Sequence, residues 1–166
     1  MLKRILKLYI ISIILTAIGS ILIAMAVDAR ELTEVPEEVA AASEELGAQY
    51  NICPELLQAV AFCESSYRAD AVNGDCTGIM QVSEKWHKDR MKRLGVTDLF
   101  NIKQNMTVAA DYLAELAEKY EDVGIALMFY NGDSSVNEVL SGTGKISGYA
   151  EKVLELSAAL EEMHGK

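Results

Sequence analysis

The sequence predicts an all-α domain with long loops, preceded by one apolar helix at the N-terminus. Its 166 residues are 51% hydrophobic, which is too apolar for a disordered chain and suits one domain in length. Apolar residues recur with helical spacing in several segments. No alternating strand pattern of useful length and no internal repeat accompanies them.

The N-terminal helix is predicted from an uncharged run of 20 residues, Leu8–Val27. A helix of that length spans about 30 Å, the hydrocarbon thickness of a bilayer. Basic residues precede the run and acidic residues follow it, so the chain after about residue 28 is expected to be translocated. Two interpretations of residues 1–27 remain open: an uncut signal anchor, or a signal peptide cleaved after Ala26 or Ala29. Both place the rest of the chain outside the cytoplasm, on the membrane or secreted.

Residues 28–38 are predicted as an acidic spacer and residues 39–166 as the folded domain. Pro54 suits the first turn of a helix, where its missing N–H breaks no hydrogen bond. Helices are predicted over residues 39–50, 54–64, 106–120, 123–129 and 149–163, and irregular stretches over residues 67–78, 83–101 and 131–147. Loops of this length usually carry function.

Charge excludes one class of partner. The chain has 15 basic and 25 acidic residues, and residues 31–166 alone carry a net charge of −13. Nucleic-acid binding needs clustered positive charge, so no nucleic-acid partner is expected.

Glu64 is the candidate catalytic residue. It lies at the end of the helix that Pro54 begins, where the partial negative charge of the helix C-terminus and partial burial favour the neutral acid. A carboxylic acid that stays protonated near neutral pH is suited to general acid catalysis. Taken alone, an exposed glutamate at a helix end is the more common occurrence.

Further motifs accompany Glu64 in a defined order. They are Glu64-Ser65-Ser66-Tyr67, Gly78-Ile79-Met80-Gln81, Asn101-Ile102 to Asn105, Tyr130-Asn131, and Tyr149-Ala150 with Val153. Together they resemble the lytic transglycosylase domain of the soluble-lytic-transglycosylase type, over about residues 39–160. The resemblance implies a lysozyme-like helical domain that binds peptidoglycan glycan strands. The bond cut would be the β-1,4 bond between N-acetylmuramic acid and N-acetylglucosamine.

The resemblance also implies roles for individual residues. Glu64 would protonate the leaving glycosidic oxygen and then accept the proton of the muramoyl C6 hydroxyl, giving a 1,6-anhydro sugar without consuming water. The 2-acetamido group of the substrate would stabilise the oxocarbenium-like centre, and no cofactor is implied. The implied substrate-binding residues are Ser65, Ser66, Met80, Gln81, Tyr130, Asn131 and Tyr149.

One motif departs from the family pattern, which usually reads Tyr-Asn-x-Gly. Here the sequence is Tyr130-Asn131-Gly132-Asp133, so the turn and its substrate contacts are expected to differ, with an added charge near the cleft.

Two alternatives to the transglycosylase remain open. Goose-type lysozymes share the glutamate and the Gly-x-Met-Gln pattern but hydrolyse the bond with water. They tend to carry an aspartate where this chain has Ser83, which favours the transglycosylase, although Asp70 and Asp75 lie in the intervening loop. The other alternative is a non-catalytic wall-binding domain.

A small domain on an anchor also favours a particular biological role, the local opening of the wall for an envelope-spanning secretion or conjugation apparatus.

Three cysteines allow at most one intramolecular disulfide. Cys53 and Cys63 lie on one predicted helix about 15 Å apart along its axis, which excludes their pairing. Cys63 and Cys76 flank the loop after Glu64, and export would permit a bridge there; three buried thiols are the alternative. The two histidines have no ligand-spaced pattern, so no metal site is expected.

One basic stretch, residues 85–93, follows the Gln81 motif. It either borders the cleft and attracts an anionic wall polymer, or forms an ordinary solvated surface.

Overall fold

The computed structural model describes residues 35–166, which form helices and one small β-sheet. In chain order the elements are α1 (Glu37–Tyr50), α2 (Pro54–Ser65), β1 (Val72–Asn73), β2 (Cys76–Thr77), β3 (Val82–Ser83), α3 (Glu84–Leu94), α4 (Ile102–Tyr120), α5 (Val123–Tyr130), α6 (Val136–Leu140) and α7 (Gly148–Met163). The predicted signal segment, residues 1–27, lies outside the described residues. Between residues 35 and 166, no helix is both long and apolar enough to cross a membrane.

Local sequence signals fix where several helices begin. Pro54 occupies the first turn of α2, as its position in the sequence predicts. Asn101 accepts a hydrogen bond from the Gln104 N–H at the start of α4, and Asp122 accepts one from the Ile125 N–H at the start of α5. Each such cap stabilises its helix by about 1 kcal/mol.

The core forms around α2 and α5, which carry the most apolar faces. Leu57 and Val60 of α2 are fully buried, where α2 packs against α1 and α7. Leu127 and Met128 of α5 are also fully buried, between α4 and α7. The five helices predicted from apolar spacing are therefore all present, and the short apolar helix is central as expected.

The start of α2 is joined to the end of α7 by a polar cluster around Glu55, whose side chain is fully buried. Glu55 Oε1 lies 2.7 Å from His164 Nδ1 and 2.8 Å from Lys166 Nζ, and Cys53 Sγ donates to Oε2 at 3.0 Å. Burial alone would raise the pKa of Glu55, but these hydrogen bonds lower it to about 2. Glu55 is therefore an ionised, paired group inside the fold.

The all-α prediction is wrong in one region, because a small antiparallel sheet occupies part of the stretch expected to be irregular. Strands β1, β2 and β3 have two residues each, with Val72 opposite Thr77 and Cys76 opposite Ser83. Strands this short show no alternating pattern, so hydrophobic periodicity could not predict them.

The stretch 83–101, also expected to be irregular, contains the 11-residue helix α3. Met91 is its only buried residue, so α3 lacks the apolar stripe that predicts a helix. Ion pairs hold it instead: the Arg90 side chain pairs with Asp111 and Glu115 of α4, and Arg93 pairs with Asp111 at 2.7 Å. The stretch 131–147 likewise contains the short helix α6.

Candidate active site

A cleft of about 770 Å³ lies where the end of α2 meets the sheet, α3, α4 and the end of α5. Four residues implied by the sequence line this cleft: Glu64, Gln81, Tyr130 and Asn131. Its volume is within the range of sites that bind small molecules. The remaining implied residues lie beside or beneath it.

Glu64 is the second-last residue of α2 and is half-buried in the cleft wall. Burial raises the pKa of Glu64 above its usual value. The Tyr149 hydroxyl donates a hydrogen bond of 2.5 Å to Glu64 Oε1, which lowers the pKa and partly opposes the effect of burial. Glu64 therefore keeps its proton to higher pH than an exposed glutamate. When it does ionise, the Tyr149 hydroxyl donates a hydrogen bond to the carboxylate.

Tyr149 lies in the first turn of α7, and the N-terminal end of that helix sets its position next to α2. Burial, and then the charge of Glu64, raises the pKa of Tyr149 far above its usual value. The hydroxyl therefore remains protonated and acts as a donor. The sequence motif named this residue, but only the fold shows that its partner is Glu64.

The Gly78–Gln81 segment is anchored to α4 by the fully buried side chain of Asn105. Asn105 Oδ1 accepts from the Met80 N–H at 2.9 Å, and its Nδ2 donates to the carbonyls of Thr77 and Leu99, both at 2.8 Å. At Gly78 φ is +80°, and a Cβ there would lie 2.1 Å from the Leu99 carbonyl oxygen. Glycine is required at this position for both reasons. Asn105 belongs to one of the sequence motifs, but the sequence alone does not indicate this anchoring role.

Ser65 and Met80, which the resemblance implies as substrate-binding residues, lie beneath the cleft and are not among its lining residues. Both are buried, and the Ser65 hydroxyl donates to the Ile79 carbonyl at 2.8 Å. The Tyr130 hydroxyl donates to the Met80 carbonyl at 2.7 Å. These two bonds join α2 and α5 to the Gly78–Gln81 loop, which Asn105 joins to α4. The loop is therefore held by three helices.

Gln81 and Ser66 take left-handed backbone conformations, with φ of 49° and 51°, and Tyr67 does so as well. This conformation costs an ordinary residue about 1 kcal/mol, and such strain is often found at functional sites. The Gln81 amide donates to the carbonyls of Gly78 and Ala71 at 2.9 and 3.2 Å, which holds the side chain at the edge of the cleft. Ser66 is exposed at the end of α2.

The departure at Asn131-Gly132-Asp133 produces a tight turn between α5 and α6. Asp133 Oδ1 accepts hydrogen bonds from the backbone N–H and the hydroxyl of Ser135, at 2.9 and 2.7 Å. These bonds hold the pKa of Asp133 below its usual value. The Asp133 charge thus stabilises the turn, and Asp133 is not among the cleft-lining residues.

One side of the cleft is formed by residues to which the sequence assigned no specific contact with substrate. Ser83, Trp86, His87 and Arg90, together called the α3 wall below, all line it. Their spacing places them on one helical face. Three of the four are polar, so they do not form the apolar stripe from which the face of a helix is recognised in a sequence. Part of the basic stretch therefore borders the cleft; its attraction of an anionic wall polymer stays a prediction.

The three cysteines are free thiols, so the predicted Cys63–Cys76 bridge is not formed in this structure. Burial raises the pKa of the Cys63 thiol, and the charge of Lys152 on α7 opposes part of that effect. Burial and then the charge of Glu64 raise the pKa of the Cys76 thiol, which lines the cleft. In the described part of the chain, no cluster of three or more His, Cys, Asp or Glu side chains could hold a metal ion.

The fold and the site define a helical domain with an open cleft and a half-buried, hydrogen-bonded glutamate in the cleft wall. The family model of the transglycosylase SLT domain matches residues 41–150, and the protein belongs to this family.

One relative supports the assignment, and one solved structure shows the same fold. The transglycosylase of Enterobacteria phage PRD1 is 34% identical over 120 residues, which cover 72% of this chain and 41% of the phage protein. An X-ray structure of an inactive mutant of the lytic transglycosylase Slt from Pseudomonas aeruginosa matches with a TM-score of 0.68 at 18% identity. That match covers 79% of this chain and 25% of Slt, and it confirms the mostly helical, lysozyme-like fold. The chain thus spans less than half of the length of either relative.

Proposed function

We propose that this protein is a peptidoglycan lytic transglycosylase. It cleaves the β-1,4 bond between N-acetylmuramic acid and N-acetylglucosamine without water and leaves 1,6-anhydromuramoyl ends. The observation that carries the proposal is Glu64: a half-buried carboxyl group of raised pKa, hydrogen-bonded by Tyr149, in the cleft of a transglycosylase SLT domain.

The first step needs a proton on Glu64. Burial maintains that proton, since the charged carboxylate is poorly solvated in the cleft wall. Tyr149 holds Oε1, so the other carboxyl oxygen delivers the proton to the leaving glycosidic oxygen. The 2-acetamido group of the muramoyl residue stabilises the positive charge that develops at its C1 atom, which replaces a protein nucleophile.

The second step needs Glu64 as a base. Once ionised, the carboxylate is stabilised by the Tyr149 hydrogen bond, which is charge-assisted and therefore stronger than a neutral one. Glu64 then accepts the proton of the muramoyl C6 hydroxyl as that oxygen closes on C1. Most glycosidases need a second carboxylate as nucleophile or as base for water, whereas this scheme uses one.

Hydrolysis by a goose-type lysozyme mechanism is the second candidate, and Asp89 is the observation that favours it. Asp89 is the other carboxylate that lines the cleft, whereas Asp70 and Asp75, which the sequence suggested, do not line it. A second carboxylate in a cleft with Glu64 is what activation of water would need.

The two schemes are separated by digesting purified peptidoglycan with the wild-type protein, Glu64→Gln and Asp89→Asn. Glu64→Gln should lose activity by at least 10²-fold, the scale of a general acid's contribution. Asp89→Asn should remain active if one carboxylate suffices, and a comparable loss there would favour hydrolysis. Binding of the wild-type protein to the wall without release of any soluble fragment would instead support a non-catalytic wall-binding domain.

We also propose that the apolar segment 8–27 places this domain on the outer side of the cell membrane, as an anchor or as a cleaved signal. Wall opening for a secretion or conjugation apparatus is the role that we propose for it. Fractionation of cells tests the location: alkaline extraction leaves an anchored protein in the membrane and releases a cleaved one.

A further inference from the structure

Ser83 carries a buried hydroxyl that is unused within the fold. It is the residue before α3, where a serine usually caps the helix, but its side chain makes no capping bond. The side chain is 7% exposed, and Oγ has no hydrogen-bond partner among residues 35–166. Because Ser83 also lines the cleft, a bound molecule can supply the partner that the fold does not.

Trp86 follows one turn later and is an exposed aromatic surface on the same cleft. It is 76% exposed, the highest value among the large hydrophobic side chains of the described residues. Large aromatic side chains usually bury their faces, so the exposed indole beside the cleft leaves a ring surface available to a ligand. Its flat face suits the C–H face of a sugar ring, with the hydroxyl groups of the ring directed outward to polar partners.

The charges of the α3 wall do not favour an anionic ligand. Arg90 is paired with Asp111 and Glu115. The His87 ring packs on Tyr112 with centroids 4.7 Å apart, and burial and Arg90 lower the pKa of His87. The wall therefore presents aromatic rings, an uncharged hydroxyl and an arginine that is already paired, with Lys85 Nζ 5.3 Å from the centroid of the Trp86 ring.

Aromatic side chains connect the α3 wall with the loop that positions the catalytic end of the cleft. Tyr112 lies between His87 and Tyr130, with its ring centroid 5.9 Å from that of Tyr130. Tyr130 in turn bonds to the Met80 carbonyl. A glycan strand that reaches Glu64 along this lining therefore passes the α3 wall.

We propose that the α3 wall is a saccharide subsite that binds an uncharged pyranose ring of the glycan strand away from the bond cleaved at Glu64. Trp86 stacks on the face of the ring, and the Ser83 hydroxyl hydrogen-bonds to one of its polar substituents. This inference rests on the proposed function, because the glycan strand is the ligand that it assigns.

Trp86 is the only tryptophan in the sequence, so its fluorescence reports on this subsite alone. The full-length Glu64→Gln protein is titrated with chitotetraose, an uncharged β-1,4-linked oligomer of N-acetylglucosamine, and binding is followed in parallel by calorimetry. Covering the exposed indole with a sugar ring should shift its emission to shorter wavelength along the calorimetric binding curve. Calorimetric binding without any change in emission would overturn the inference.

Variants of the active protein give an independent test with peptidoglycan as substrate. Trp86→Ala should raise KM about tenfold with kcat little changed, the size expected for one aromatic contact, and Trp86→Tyr should restore most of the affinity. Ser83→Ala should raise KM less, and Ser83→Thr should restore it. The control is Phe100→Ala, since Phe100 is 53% exposed but does not line the cleft. An unchanged KM for Trp86→Ala would overturn the inference.

The outcomes separate the subsite from the catalytic proposal. If the wild-type protein cleaves peptidoglycan but chitotetraose leaves Trp86 emission unchanged, the subsite fails alone. If it does not cleave peptidoglycan but the emission shift occurs, the catalytic proposal fails and the subsite stands. If neither occurs, both fail.

Discussion

Replacing Asn105 by alanine should destabilise the domain by about 3–4 kcal/mol, because it removes three buried hydrogen bonds at once. The bonds join Asn105 to the Met80 N–H and to the carbonyls of Thr77 and Leu99, at 2.8–2.9 Å. Each contributes about 1 kcal/mol, and the backbone groups left without a partner in the fully buried site add a desolvation cost.

The loss should appear as a fall of roughly 10 °C in Tm, measured by circular dichroism, and as a lower urea midpoint. The matched control is Thr107→Ala on the same helix. The Thr107 hydroxyl bonds to the Lys103 carbonyl at 2.7 Å near the surface, so its removal should cost less than about 0.5 kcal/mol. A loss below about 1 kcal/mol for Asn105→Ala would refute the idea that this side chain anchors the Gly78–Gln81 loop.

Three further predictions concern single substitutions. Tyr149→Phe removes the hydrogen bond that lowers the pKa of Glu64, so the alkaline limb of the kcat/KM profile should move to higher pH; a move to lower pH would contradict this role. Gly78→Ala places a methyl group against the Leu99 carbonyl at positive φ and should cost at least about 2 kcal/mol in urea unfolding, whereas an unchanged midpoint would show that the loop adapts. In the wild-type protein Glu55 is ionised in the fold down to about pH 2, against a usual pKa of 4.5. The unfolded chain therefore binds the proton first, and stability falls as pH falls between these values; Glu55→Gln should flatten that decline, and an identical acid dependence would contradict it.

The parts of the fold that the sequence predicted are those held by apolar packing. Helices α1, α4 and α7 bury one regularly spaced face, and α2 and α5 are apolar over most of their length, so the pattern of hydrophobic residues located them. Helix α3 is instead held by ion pairs with α4. Its Arg90 pairs with Asp111, which lies 21 residues further along the chain. Such pairing leaves no local pattern, and the helix was therefore missed.

The candidate site was predictable where chemistry and position coincide in the sequence. Glu64 could be named because it lies at a helix end and belongs to a recognisable set of motifs. The roles of Asn105 and Ser65 could not, because each depends on which backbone groups approach its side chain in three dimensions. Trp86 had no assigned role for a related reason: its exposure beside a cleft is a property of the folded surface.

The reaction itself is tested most directly by mass spectrometry of the fragments released from peptidoglycan in water enriched in the heavy oxygen isotope. Our account predicts 1,6-anhydromuramoyl ends without incorporated label from the wild-type protein, and no such fragments from Glu64→Gln. Reducing ends that carry the solvent label would contradict transglycosylation, and unchanged release by Glu64→Gln would show that Glu64 is not the catalytic acid.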